Sequence, residues 1–246
     1  MTFEQAAILI AGGIAAGVVN TLAGGGSLIS VPLLVLVGLP GTIANGTNRV
    51  GILLQNLTAA WQFRKRGVSG LAGAAKVLLP VCLGALVGAF TIARVEDALF
   101  ERIFGVVMLL NLVPMLRRPR VGAQRPARPW PRWLGFTVFF GIGLYGGAIQ
   151  AGVGLLLVGA LSHAGYDLVR ANSIKVAVNV VLTAFVLPIF VFAGQVAWLP
   201  AAMLACGFVA GGWIGARLAV AGGERLLRPV MILAILALAG RILGLY

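Results

Sequence analysis

Acidic side chains are scarce in this chain: six Asp and Glu against 19 Lys and Arg, with one histidine and two cysteines among 246 residues. Each shortage excludes a class of chemistry. The acids, Glu4, Glu96, Asp97, Glu101, Asp167 and Glu224, all fall at the ends of apolar stretches or in turns. No carboxylate is therefore available deep in a span to carry a cation or relay protons. Paired acids, a His/Cys/Asp metal cluster and a nucleophile with its base are also missing, so neither an enzyme nor any cofactor or metal is expected. Cys82 and Cys206 sit in the middle of different long apolar stretches, a spacing that suits no structural disulfide and no metal site. Both are expected to be small apolar packing residues.

Charge of any kind is thin, at 10%, while 60% of the residues are hydrophobic and the mean hydropathy is +1.03. That leaves too little polar surface to cover a soluble domain of this length, and an integral membrane protein is expected. Apolar stretches fall at about 5–22, 28–38, 43–63, 71–93 and 99–116, and again at about 133–149, 154–165, 171–192, 198–219 and 229–245. A helix crosses the hydrocarbon in about 20 residues, so the third, fourth and fifth of each set are candidate spans. The second of each set is too short. The opening segment lacks a basic leading region and is expected to stay in the mature protein.

The two sets are one pattern repeated. Shifting the chain by about 127 positions aligns 17–116 with 144–243 without a gap, pairing Gly25 with Gly152, Ala44-Asn45 with Ala171-Asn172, Gly84 with Gly211 and Gly88 with Gly215. Residues 1–116 and 133–246 are read as two membrane repeats of one transporter domain, joined by a basic cytoplasmic linker at 117–132.

Basic residues collect on the cytoplasmic side of membrane proteins. Arg64-Lys65-Arg66 and the linker arginines from Arg117 to Arg132 place those segments inside. The second-half counterpart of the first basic loop, Ala193 to Ala197, is uncharged and reads as external, whereas Arg217, Arg225 and Arg228 read as internal. The halves are thus expected to have inverted topology, with both termini outside, which requires the first two segments of each to enter and return on one side. The expected fold is all-α: two inverted repeats, each a broken or re-entrant helix hairpin plus three transmembrane helices. The net charge of +13 is read as orientation and contact with anionic lipid, with no nucleic acid as a partner.

The hairpin tips are Ala23-Gly24-Gly25-Gly26-Ser27 and Gln150-Ala151-Gly152-Val153-Gly154, each followed by a short apolar segment. Broken helices at membrane depth aim half-helix N-termini inward, where their N–H groups and dipoles favour an anion. Close helix packing is the structural alternative for these glycines. Gly24, Gly25, Gly26 and Ser27, with Gln150, Gly152 and Gly154, are candidate substrate-binding residues, and Ser27 is expected to cap its helix while facing the ligand. A second polar cluster supplies Asn45, Thr47, Asn48 and Arg49 in one half and Asn172, Ser173 and Lys175 in the other, with Asn179 nearby. Arg49 and Lys175 lie inside spans, where an ionisable group reads as functional; snorkelling to head groups is the alternative. Gln55, Asn56 and Thr183 continue the polar trail in second rank. His163 reads as interfacial, with proton coupling as the other option.

The stretch from Gly17 to Gly67, with Asn20-Thr21-Leu22-Ala23-Gly24-Gly25-Gly26-Ser27-Leu28, Val31-Pro32-Leu33-Leu34, Gly38-Leu39-Pro40, Ala44-Asn45-Gly46-Thr47-Asn48 and a basic end at Arg64 to Gly67, resembles the TauE/SafE family of sulfite and organosulfonate exporters. Gly147 to Lys175 is similar to that family's repeat. The resemblance implies a multi-pass permease of a bacterial inner membrane for a small anion such as sulfite, an organosulfonate or a related sulfur or carboxylate compound. An anion channel on the same scaffold and a non-transporting accessory protein are the competing expectations. Partners are a small anionic substrate and membrane lipid; self-association, the coupling ion and the direction of transport stay open.

Overall fold

A computed structural model describes residues 1–22, 24–116 and 130–220. They form nine helices and no strand: α1 (Phe3–Leu22), α2 (Ser27–Leu36), α3 (Gly41–Lys65), α4 (Leu71–Ile92), α5 (Asp97–Leu116), α6 (Arg132–Ala148), α7 (Val153–His163), α8 (Leu168–Phe192) and α9 (Trp198–Val220). The all-helical membrane class expected from composition is the one observed, and element boundaries fall within a few residues of the apolar stretches. The last expected stretch, 229–245, and nearly all of the basic linker lie outside the described residues.

The period of the sequence is also the period of the structure. Both ends of α8 lie 127 residues after those of α3, and α9 begins 127 residues after α4. Among the described residues, α1, α4, α8 and α9 are long and apolar enough to cross a membrane. α3 is as long as α8, at 25 residues, or about 37 Å, but its polar trail lowers its hydropathy. α2 and α7, with 10 and 11 residues, reach only about half of a hydrocarbon core of about 30 Å.

Helix pairing follows the small residues. α1 lies along α9, and α4 along α6, as the two most extensive contacts. A Cβ on Gly211 would come within 2.9 Å of Gly17 Cα, and one on Gly143 would overlap the backbone of Val81. Backbones this close gain dispersion contacts that larger side chains would forbid, which is how helices associate where lipid removes the hydrophobic drive. Large apolar side chains such as Leu79, Phe90, Phe185 and Phe192 are exposed, as a lipid-facing surface requires. Cys206 is exposed with them, while Cys82 is partly buried. The expectation that both are packing residues therefore fails for Cys206, because among the described residues no helix covers its side of α9.

Where α3 begins, Pro40 cannot cap it, and Asp97 from α5 does so instead: its Oδ1 accepts from Thr42 N at 2.9 Å and from Thr42 Oγ1 at 2.6 Å. α8 has its own cap, Asp167, which accepts from Arg170 N at 2.9 Å.

Candidate functional site

α1 and α6 both end inside the fold, and a helix end leaves up to four carbonyls without intrahelical donors. In a membrane no bulk water can supply them. The protein uses α3 and α8. Arg49, with no exposed surface, donates from Nη1 to Gly146 O at 3.2 Å and to Gln150 Oε1 at 2.9 Å, and from Nη2 to Gly147 O at 2.5 Å and Ala148 O at 3.1 Å. Asn45, one turn earlier on α3, adds Nδ2 to Ala148 O at 2.9 Å. The guanidinium also lies 4.3 Å from the centre of the Phe190 ring, an added cation–π attraction. Its Nε finds no acceptor among the described residues.

The other break is held the same way. Lys175, equally buried, donates from Nζ to Asn20 O at 3.0 Å, Thr21 O at 2.9 Å and Asn172 Oδ1 at 2.8 Å. Asn172 Nδ2 reaches Leu22 O at 3.4 Å. Asn45 and Asn172 are partners in the repeat, but the cations are not: Asn48 aligns with Lys175, and Arg49 with Val176. Both halves place a cation at a helix C-terminus, where the dipole is negative, from positions one residue out of register.

Beyond the breaks the two tips meet backbone to backbone. A Cβ on Gly24 would overlap Gly154, and one on Gly154 would overlap Gly24 and come within 3.0 Å of Lys175 Cδ. Gly24 has φ +85° and Gly152, the residue before α7, φ +76°, a left-handed conformation that glycine adopts freely. Gln150 adopts φ +64°, which costs a non-glycine residue about 1–2 kcal/mol. Its bond to Arg49 is charge-assisted, worth about 1.5–3 kcal/mol, so the hydrogen bond outweighs the strain. Tyr145 Oη donates to Ala151 O and accepts from Asn111 Nδ2 at 3.0 Å, fixing the rest of that tip.

The remaining candidates fall into two groups. Ser27 opens α2 but makes no side-chain cap; its Oγ accepts from Asn48 Nδ2 at 3.1 Å, and Ser30 Oγ donates to Asn48 Oδ1 at 2.6 Å. The expected capping role of Ser27 is thus replaced by a tie to α3. Gly25 and Gly26 are buried beside it. Thr47 and Ser173 lie away from the tips: Thr47 Oγ1 accepts from Ala197 N at 2.9 Å, and Ser173 Oγ donates to Val68 O at 3.2 Å. Each anchors the loop that precedes a helix of the opposite half.

Gln55, placed in second rank by sequence, proves central to the first break, accepting from Asn20 Nδ2 at 2.5 Å and donating to Thr21 Oγ1 at 2.5 Å. Thr183 accepts from Gln150 Nε2 at 3.4 Å, whereas Asn56 bonds back to its own helix at Ile52 O. Asn20 and Thr21 enter the sequence reading only as part of the family motif, and Ser30, Asn111, Tyr145 and Phe190 do not enter it as site residues. Asn20-Thr21 could have been singled out, as a polar pair ending an apolar run beside the glycines; Phe190 carries no such signal. His163 is exposed at the end of α7, its ring stacked 4.7 Å from that of Trp130.

In total, two buried cations stand at the centre, and no carboxylate is buried among the described residues. Helix ends count for about half a charge each, so the two N-termini and two C-termini roughly cancel. Groups of three or more His, Cys, Asp or Glu fit for a metal are absent among the described residues.

A family model described as sulfite exporter TauE/SafE matches residues 9–242. The chain is 25% identical over 246 residues to a probable membrane transporter protein of Sinorhizobium, covering 99% of this chain and 94% of that one. It is 26% identical over 229 residues to one of Haemophilus influenzae (92% and 90%), and 24% identical over 233 residues to YfcA of Escherichia coli, also a probable membrane transporter (93% and 86%). These matches are to proteins described as exporters or probable transporters rather than enzymes, and with the candidate spans they support a multi-pass membrane protein.

Proposed function

The chain belongs to the sulfite exporter TauE/SafE family, and from that premise we propose that it is a secondary transporter of a small anion in a bacterial inner membrane. The anion is sulfite, an organosulfonate or a related sulfur or carboxylate compound. The observation that carries this reading is the meeting of the two tips: Gly24 and Gly154 touch backbone to backbone at the N-terminal ends of α2 and α7, near the fully buried Arg49, and no carboxylate is buried among the described residues. Half-helix N-termini close to a buried guanidinium favour an anion. The tip amides of Gly25–Ser27, Gly152 and Gly154 bind it, and Arg49 and Lys175 attract it through space while they hold the carbonyls.

Alternating access follows from the two-fold arrangement. The tips touch in this conformation, so an anion enters when they part toward one side. A cavity of about 460 Å³ lies between Gly67–Ser69 and Asp167–Arg170, on the basic side that this reading places in the cytoplasm. Single cysteines at Arg66 and Gly194, in a background lacking Cys82 and Cys206, should react with a membrane-impermeant reagent from opposite sides in intact cells. Labelling of both from one side would remove the inverted arrangement.

Purified protein should melt at a higher temperature with sulfite, sulfoacetate or another small anion than with matched chloride, and reconstituted protein should show saturable flux with counterflow. A ligand at 100 times its Kd stabilises by about 2.7 kcal/mol, or about 5–10 °C for a chain of this size. Flux without saturation or counterflow would indicate a channel, and neither shift nor flux with any anion would leave a non-transporting protein.

A further inference from the structure

The sequence repeats and the packing groups are different divisions of this molecule. α4 shares its extensive contacts with α6 and α8, and α9 with α1 and α3; α2 packs on α1 and α3, and α7 on α6 and α8. Two groups result, α1–α2–α3–α9 and α4–α6–α7–α8, each holding three elements of one half and the fourth of the other. They meet along α3 and α8. The clamps at the two breaks cross that border: Asn45 and Arg49 on α3 hold the end of α6, while Asn172 and Lys175 on α8 hold the end of α1.

We propose that Arg49 and Lys175 are positioning residues that order the tips in trans, Arg49 the second-half tip and Lys175 the first-half tip, and thereby latch the two packing groups together. The physical cause is the orphan carbonyls of a helix broken at membrane depth. Those carbonyls need donors, and the donors come from the group the helix does not belong to. Neither tip can swing with its own group until its clamp is released or carried along. Sulfite or a similar anion therefore meets a site in which both tips are set by one border. The bearing on transport rests on the function proposed above, but the clamps themselves do not.

Hydrogen exchange on purified, anion-free protein tests this for Arg49→Gln and Lys175→Gln. Arg49→Gln should speed amide exchange by about tenfold or more in residues 149–156, with residues 18–30 unchanged to within about twofold; Lys175→Gln should do the reverse. Asn45→Ala and Asn172→Ala, which keep the cations and remove one neutral donor each, should give the same crossed pattern more weakly, and they decide the matter if the charge variants do not fold. Unchanged exchange at both tips, loosening of the tip in the same half, or an effect seen only with sulfite present would overturn the trans clamp. Sulfite flux by the wild-type protein is measured in parallel. Its absence counts against the transport reading alone, because the exchange pattern needs no anion.

Discussion

Valine in place of Gly24 or Gly154 should abolish anion flux in proteoliposomes while leaving the protein folded and membrane-inserted. The two residues touch through their backbones, and a Cβ on either would overlap the other. Overpacking costs about 1–3 kcal/mol, and at Gly24 the positive φ adds about 1–2 kcal/mol. At Gly24 the two together correspond to a loss of about thirtyfold or more in the population of correctly joined tips. Gly152→Val should behave like Gly24→Val, since its φ is also positive and its Cβ would overlap the Asn111 amide. Gly194→Val is the control: its φ is +70°, but nothing lies within 4 Å of its added Cβ. It bears the backbone strain without touching a tip and should retain flux. Wild-type flux in both Gly24→Val and Gly154→Val would reduce the tips to passive turns.

The second large effect separates charge from geometry at Arg49. Arg49→Gln should weaken sulfite binding about tenfold or more and lower the melting temperature, because the charge and most of the fork are lost together. Arg49→Lys keeps the charge but cannot reproduce four donations from two nitrogens. Its sulfite affinity should stay within about threefold of wild type, while at least one charged hydrogen bond of about 1.5–3 kcal/mol is lost, or about 3–12 °C. Calorimetric binding in detergent and thermal melting give the two readouts on the same samples. Equal loss of affinity in both variants would show that the field of the cation does not govern binding.

Much of the candidate site's position was legible in the residues, though not which groups they touch there. The glycine tips were readable because a glycine cluster interrupting an apolar run has few explanations, and its recurrence 127 positions later narrows them further. The cations were readable as intramembrane charges. Their partners were not: Arg49 reaches carbonyls near residue 147, and Lys175 those near residue 20, almost 100 and more than 150 positions away. Gln55 was undervalued for the same reason, since its partners Asn20 and Thr21 lie on another helix. Thr47 and Ser173, adjacent in sequence to tip-binding residues, point along their helices to distant loops, because neighbours on a helix face different directions.

The sequence by itself determined the membrane class, the helix boundaries, the period of the repeat and, among the described residues, the absence of buried carboxylates. Those properties depend on local hydropathy, on residue spacing and on composition, and none of them needs a distant contact. Only the tertiary structure decided that the tips touch, that each break is capped by the opposite half, and that α4 and α9 trade packing groups. A broken helix states in its sequence that it has orphan carbonyls. It cannot state which distant side chain satisfies them, because that choice is made when helices pack.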